Sequence, residues 1–417
     1  MHTENCTTHI MNKKILITTG GLSSAGQGGG ISSYAHDLAE NLADAGHIVT
    51  VFLMKEGENN PPQNIKYHYQ FFEVGSTLKQ EEETVKQILQ DIESLKPQII
   101  INNDSSYIVG LWPVLEEKIL KISVMHAFSK TFTLTNAGIS GKMAIVNHQY
   151  VDYIICQNSQ MVENAAHKYK IPKEKLVFIP QTADHTDFDD KIDNEIFTIT
   201  FAGGENKRKG ANEMFEFCKL LKDSNLSFKV NWCLSADRYK NHFLYDQRFD
   251  FLGNLSRDEF ISTLKSSDCI IIPTHHDTGP MLLVEAMGQA VIPICNYLHE
   301  SAIPDIITNG ENGILIDNNN PKTFFVTILK LLADRQLSEY LKVNAYKYFI
   351  QKLTKQSQVK RFEELFENKK SFLPKTQFFN KNIIYYHMKK TSHLPKYSLK
   401  RIKSKIINAL ELPHYKN

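Results

Sequence analysis

The sequence predicts an α/β protein made of two doubly wound domains. Three observations carry this. Short apolar runs of strand length alternate with longer segments of helical spacing along most of the chain. The 417 residues exceed one ordinary core, and the runs fall into two series. Each series opens with a strand, a glycine-bearing loop and a helix, the start of a βαβ unit and hence of a parallel sheet.

Taken in order, Ile15-Leu-Ile-Thr-Thr reads as a short buried strand, followed by a glycine-rich loop over 20–30. A helix follows, with apolar or small residues at Ile31, Tyr34, Ala35, Leu38, Leu42 and Ala45, and Gly46 ends it. Val49-Thr-Val-Phe-Leu is the next strand, and further apolar runs lie at 99–101, 122–125 and 153–156. A second series begins with Phe197-Thr-Ile-Thr-Phe and continues at 228–233, 269–272 and 291–295. The acidic, polar stretch 182–193 lies between the two series and is the expected linker. The expected domains are therefore 1–185, 186–367 with closing helices, and a tail over 368–417.

Composition is that of an ordinary globular protein, 42% hydrophobic and 23% charged. The net charge of +2 conceals an asymmetry, because 369–417 holds twelve Lys and Arg against the single acid Glu411. The body is therefore acidic and the tail cationic. The six cysteines are scattered without C-x-x-C pairs or metal-ligand spacing, as expected of free core thiols in a reducing compartment. The start MHTENCTTHI lacks a basic patch followed by an apolar stretch, and no window of about 18 apolar residues could span a bilayer. A cytoplasmic location is expected.

Two loops carry candidate chemistry. The first, Gly28-Gly-Gly-Ile-Ser-Ser, fails the dinucleotide fingerprint G-x-G-x-x-G at its third glycine. Glu56 also lies past the strand end where a ribose-binding acid belongs. What remains is a loop whose backbone N–H groups, at a helix start, can meet an anion. The second, Gly203-Gly204-Glu-Asn-Lys207-Arg208-Lys209-Gly210, puts three successive cations between a strand end and a helix N-terminus, which suits a diphosphate. About seventy residues on, a strand ends in Thr274-His-His-Asp277-Thr-Gly279-Pro280-Met281, with Glu285 in the helix beyond. Ligands of open α/β sheets bind at that strand edge, where carboxylates can accept hydrogen bonds from sugar or ribose hydroxyls. Apolar neighbours on the same helix imply that Glu285 is partly buried and needs a partner, either a ligand or a nearby Lys.

Together these residues resemble the retaining GT-B glycosyltransferases of the group 1, family 4 type, over roughly residues 14–367. The matching elements are the glycines at 28–30, Gly46-His47-Ile-Val49, His126 after a middle strand, the joining stretch 158–180, Lys209-Gly210, the acid-x7-acid pair Asp277 and Glu285, and Asn312-Gly-Ile-Leu-Ile. The chain departs from the family pattern at several places. Gly204 stands where an Arg is usual, Asp277 where a Glu is, Thr278-Gly279-Pro280 replaces Gly-Phe-Gly, and Glu300-Ser301 replaces Gly-Gly.

The resemblance implies two Rossmann-like domains facing each other across a cleft, and transfer of a sugar, with retention, from a nucleoside-diphosphate sugar to a carbohydrate or lipid-linked acceptor. Cell-surface polysaccharide, lipopolysaccharide or glycoconjugate synthesis would be the setting. It implies catalytic roles for His126, Lys209, Asp277 and Glu285. Donor-binding roles fall to Gly29, Gly30, Gly203, Gly204, Arg208, Lys209, Asp277, Gly279, Pro280, Met281 and Glu285. No metal and no cofactor are expected, since protein cations would neutralise the leaving diphosphate. Leu399, Ile402, Ile406 and Leu410 share one helical face among the tail's cations, a pattern suited to an anionic membrane surface. The expected location is thus cytoplasmic, peripheral at the inner face of the plasma membrane. Nucleic acid is not an expected partner of the acidic body. Two other readings fit the same fold: a nucleotide-sugar epimerase, and a non-catalytic GT-B-like partner.

Overall fold

A computed structural model describes residues 12–22, 30–55, 64–73, 78–126, 141, 144–145, 147–192 and 195–368. Two parallel sheets organise these residues. The first contains β1 (Lys14–Thr19), β2 (Ile48–Lys55), β3 (His68–Glu73), β4 (Ile99–Asn102), β5 (Leu120–Met125), β6 (Tyr153–Cys156) and β7 (Leu176–Phe178), in the order β3-β2-β1-β4-β5-β6-β7. Helices α1 (Gly30–Asp44), α2 (Leu78–Leu95), α3 (Ser106–Leu111) and α4 (Ser159–Tyr169) lie between its strands in the chain.

The second sheet contains β8 (Thr198–Phe201), β9 (Lys229–Cys233), β10 (Phe249–Gly253), β11 (Cys269–Ile272), β12 (Ile292–Asn296) and β13 (Ile314–Ile316), in the order β10-β9-β8-β11-β12-β13. Its helices are α5 (Ala211–Lys222), α6 (Asp237–Lys240), α7 (Arg257–Lys265), α8 (Met281–Gly288) and α9 (Ile303–Ile306). The chain closes with α10 (Pro321–Ala333), α11 (Arg335–Lys352) and α12 (Lys355–Glu367).

Both sheets bury apolar side chains on both faces, as parallel sheets with helical covers must. In β4, Ile99 and Ile101 pack towards α1, while Ile100 packs towards α2 and α3. In β11, Ile271 joins the cluster under α5 and α10, and Ile270 and Ile272 join the one under α8. Strand order reverses between β1 and β4 in the first sheet, and between β8 and β11 in the second. At such switch points the loops leaving adjacent strands diverge to opposite faces and open a crevice.

The sequence places 355–367 with the second domain, and here the structure corrects it. Helix α12 packs on the first domain: Val359, Phe362 and Phe366 share a core with Ile15, Ile17, Leu38 and Leu42. Asn41 Nδ2 donates to Gln358 Oε1 at 3.1 Å across the same contact. An amphipathic stripe shows that a helix needs a face to cover, not which face it will find. Among the described residues the chain therefore crosses between domains twice, near 182–192 and again near 353. The first crossing is tied down, with Thr186 Oγ1 donating to Gln289 Oε1 at 2.5 Å and Lys191 Nζ to the Ser267 carbonyl at 2.6 Å.

Strands β3, β7, β10 and β13 were not among the expected strands. All four are sheet edges with a single buried residue each, Phe72, Leu176, Phe249 and Ile316, so none carries the long, fully buried run of a central strand. The cysteines follow expectation where described: Cys156, Cys218, Cys233, Cys269 and Cys295 are free and buried. Burial pushes their thiols up, Cys233 to about 12. Among the described residues, no helix is long and apolar enough to cross a membrane.

Candidate functional site

The crevice at the second switch point is built from backbone constraints outward. The loop after β8 ends in a single tight turn over Lys207–Lys209, with Asn206 capping it through a hydrogen bond from the Arg208 N–H at 2.9 Å. Gly210 closes the turn at φ +84°, and a Cβ there would lie 1.9 Å from the Pro273 carbonyl oxygen. Only glycine lets this loop press against the end of β11. The two loops are then stitched together, as His275 N–H and Thr274 Oγ1 donate to the Arg208 carbonyl at 2.8 and 3.1 Å.

This stitching brings Lys209 and Asp277 into direct contact, Nζ donating to Oδ2. Lys209 is about one-third exposed and Asp277 more enclosed, so the pair sits at the crevice mouth. Arg208 Nη1 reaches the His276 carbonyl at 3.4 Å. Gly203 lies flat against the Phe201 ring, and Gly204 adopts φ +53° beneath Leu234. Pro280 precedes the first turn of α8, Met281 begins it, and Gly279 abuts Gln157 and Gln181 of the first domain.

Glu285 is buried on α8, and its partner is Arg257 at the start of α7, Nη1 donating to Oε1. Arg257 was not anticipated from the sequence. It begins a helix after an edge strand, held there by a capping box between Ser256 and Glu259, and its position looks like an ordinary solvated charge. The pair faces Asp37 on α1. Burial is the main cause that raises the Asp37 carboxyl to about 6; Lys355 and Arg257 lower it, while Asp184 and Glu285 raise it further.

The first switch point holds a different set. Asp104, just past β4, accepts from the Gly20 N–H at 2.7 Å and from Thr19 Oγ1 at 2.8 Å. Burial raises its pKa, and those hydrogen bonds partly offset the rise. Asn103 Nδ2 donates to Thr19 Oγ1 and to the Ile31 carbonyl, which turns its Oδ1 towards His126 Nε2 at 2.6 Å. An amide oxygen can only accept, so Nε2 carries the proton. Burial lowers the His126 pKa to about 4 and keeps the ring neutral. The Tyr34 ring meets it edge-on at 5.1 Å. Asn103 and Asp104 were missed, although the polar run Asn102-Asn-Asp-Ser directly after an apolar strand is the signal that marks them.

Of the expected site residues, Lys209, Asp277, Arg208, Gly203, Gly204, Gly279, Pro280 and Met281 gather around one crevice. Glu285 lies on the same helix as Met281 and pairs with Arg257. His126 belongs to the opposite domain and is joined to the loop of Asp277 through Thr278, whose Oγ1 donates to the His126 carbonyl at 2.8 Å. Gly30 begins α1, exposed and with nothing within 4 Å of a notional Cβ, and Gly29 lies outside the described residues. Among the described residues no group of three or more His, Cys, Asp or Glu is placed to hold a metal ion. A concavity of about 460 Å³ lies elsewhere, lined by Lys13, Ile99 and Phe366 among others.

The fold defines a two-domain α/β protein of GT-B architecture, with ion pairs gathered at its second switch point. The sequence model of glycosyl transferases group 1 matches residues 183–348, and that of glycosyltransferase family 4 matches 28–187. The chain belongs to the group 1 glycosyltransferases. Two uncharacterized glycosyltransferases of Methanocaldococcus jannaschii are 24% identical over 151 residues and 25% identical over 192 residues. Those matches cover 36% and 43% of this chain, and the chain spans less than half of either relative, 42% and 46%.

Solved structures share the fold. Sucrose-phosphate synthase from Thermosynechococcus elongatus gives a TM-score of 0.65 at 14% identity, covering 85% of this chain and 98% of that one. Anabaena HepE in complex with UDP gives 0.66 at 15%, covering 85% and 99%. The lipopolysaccharide outer core galactosyltransferase WaaB gives 0.64 at 15%, covering 86% and 100%.

Proposed function

We propose that this protein transfers a sugar from a nucleoside-diphosphate sugar to a hydroxyl acceptor, with retention at the anomeric carbon. The observation that carries the reading is the convergence of Lys209 and Asp277, from the loops after β8 and β11, at the second switch point. A diphosphate entering there draws Lys209 to itself, with Arg208 and the backbone N–H groups at the start of α8 as further donors. Asp277 is thereby released to accept from a sugar hydroxyl. Glu285, already buried and ionically paired, is suited to hold ribose hydroxyls.

In the reaction the bond between the anomeric carbon and the diphosphate oxygen breaks with its electron pair going to the diphosphate, a bond to the acceptor oxygen forms, and the acceptor's hydroxyl proton passes to the departing diphosphate. Charge grows on the departing diphosphate, and the preorganised cations stabilise it more than they stabilise the ground state. Neutral His126 approaches the sugar or acceptor from the first domain. UDP is the leading candidate nucleotide, because the solved complexes of the fold-mate HepE contain UDP and UDP-glucose. The cationic, amphipathic pattern of the tail supports an acceptor at an anionic membrane surface, such as a lipid-linked or lipopolysaccharide sugar.

A thermal-shift screen against UDP, GDP, ADP and CMP tests the reading. One nucleoside diphosphate should raise the melting temperature, since a ligand at a hundred times its Kd adds about 2.7 kcal/mol to stability. No shift with any of them at millimolar concentration would sink the proposal.

A further inference from the structure

Thr278 stands between Asp277 and Gly279, and it is bonded to both domains at once. Its Oγ1 donates to the main-chain carbonyl of His126 at 2.8 Å, at the end of β5. Its own carbonyl accepts from Asn158 Nδ2 at 2.8 Å, just past β6, and from the Ala302 N–H at 2.9 Å within the second domain. The surroundings continue the seam. Asn158 Nδ2 also reaches the Glu300 carbonyl at 3.4 Å, and Asp305 accepts from Ser159 N–H at 2.8 Å and Ser159 Oγ at 2.5 Å. Gly279 rests on Gln157, where an added Cβ would find Cβ of Gln157 at 3.5 Å.

These bonds differ in what they require of position 278. Any residue offers a carbonyl to Asn158, whereas the bond to His126 needs a hydroxyl there. That bond links the backbone of His126 to the residue next to Asp277, so it fixes the register between the two candidate site residues contributed by opposite domains.

We propose that Thr278 is a positioning residue, whose hydroxyl latches the Asp277 loop onto the His126 backbone and holds the domains in the closed register needed for transfer. The inference rests on Asp277 and His126 being site residues, as under the proposed function. Closure of this kind completes a catalytic constellation that neither domain holds alone. The donor contacts Lys209, Arg208 and Glu285 all lie in the second domain, so loss of the latch should spare nucleotide binding.

Thr278→Val keeps the side chain's shape and removes the hydroxyl; Thr278→Ser keeps the hydroxyl. Spin labels at His167→Cys on α4 and Tyr245→Cys in the second domain, both at exposed positions, report the interdomain distance. Cys6→Ser removes the cysteine outside the described residues, and the other five are buried and slow to label. Wild type and Thr278→Ser should give one narrow distance distribution, with Thr278→Val broader and shifted. With UDP-glucose as donor and water as acceptor, Thr278→Val should release UDP about tenfold more slowly at saturation. Its KM should stay within about twofold, as expected when one hydrogen bond that matters only in the closed state is lost.

A Thr278→Val distribution matching wild type, a wild-type distribution equally broad, or opening in both variants would overturn the latch. Failure of the wild type to bind UDP would instead count against the functional reading, while the distance measurement still decides the latch.

Discussion

Beyond β8 and β11, charged side chains converge: Lys209 on Asp277, and Arg257 on Glu285. Beyond β1 and β4, at the topologically equivalent place in the first sheet, a buried and largely uncharged network forms instead. There Thr19, Asn103 and His126 exchange hydrogen bonds, and burial raises the single acid, Asp104. Two crevices of the same topology thus carry different chemistry. One holds ion pairs, and the other presents shape and neutral hydrogen bonding. The proposed function would set the donor in the first of these and the acceptor beside the second, and the contrast can be broken experimentally from either side.

The largest effect should come from the charged crevice. Arg257→Met leaves the Glu285 carboxylate, whose side chain is 9% exposed, without its cation. Stability in urea should fall by about 3–5 kcal/mol, the usual cost of orphaning a buried charge. Asn103→Ala in the other crevice removes the acceptor of a neutral donor and should cost only about 1–3 kcal/mol. Equal losses from the two variants would show that the crevices do not differ as described.

Acid separates them next. His126 is held at about 4, below the usual 6.5 of an unfolded histidine, so between those values the unfolded chain binds a proton that the folded one refuses. Its contribution is complete above pH 6.5 and is lost as pH falls towards 4, on the order of 3 kcal/mol. Asp37, raised to about 6, acts with the opposite sign: it disfavours folding as pH rises from about 4 to 6. His126→Gln should therefore flatten the acid loss of stability, and Asp37→Asn should steepen it. An unchanged pH profile in His126→Gln would contradict the buried, neutral state assigned to the first crevice, and one in Asp37→Asn the burial assigned to that acid.

The sequence made the second-domain crevice far more legible than the first-domain one, and the reason is physical. A run of cations beside glycines, and two acids eight residues apart at a strand end and in its helix, announce themselves by charge. Arg257 did not, because a lone cation at a helix start resembles any solvated one. The polar run that holds Asn103 and Asp104 marks a strand end without announcing a chemistry, and their hydrogen-bonding partners are set only where the sheet puts β1, β4 and β5 side by side. Central strands such as 99–101 and 269–272 were readable because both faces are buried; the half-exposed edges β3, β7, β10 and β13 were not. Helix α12 was readable as a helix but not as a first-domain element, since its apolar stripe fits either core.

The smallest effect is expected at the tail. Deleting 369–417 should leave the melting temperature and UDP affinity nearly unchanged. Binding to vesicles containing anionic lipid should drop, because each Lys or Arg near such a surface contributes about 1 kcal/mol, screened by salt. Loss of UDP binding on truncation would instead make the tail part of the body.

The most direct test of the anion-holding crevice is calorimetric titration of UDP into wild type and Lys209→Ala, in EDTA throughout. Wild type should bind with EDTA present, because protein cations meet the diphosphate. Lys209→Ala should remain folded, with a smaller loss of stability than Arg257→Met, and should bind about ten- to a hundredfold more weakly, a loss of roughly 1.5–3 kcal/mol. Equal affinity in the folded variant, or wild-type binding restored only by added divalent metal, would contradict the account.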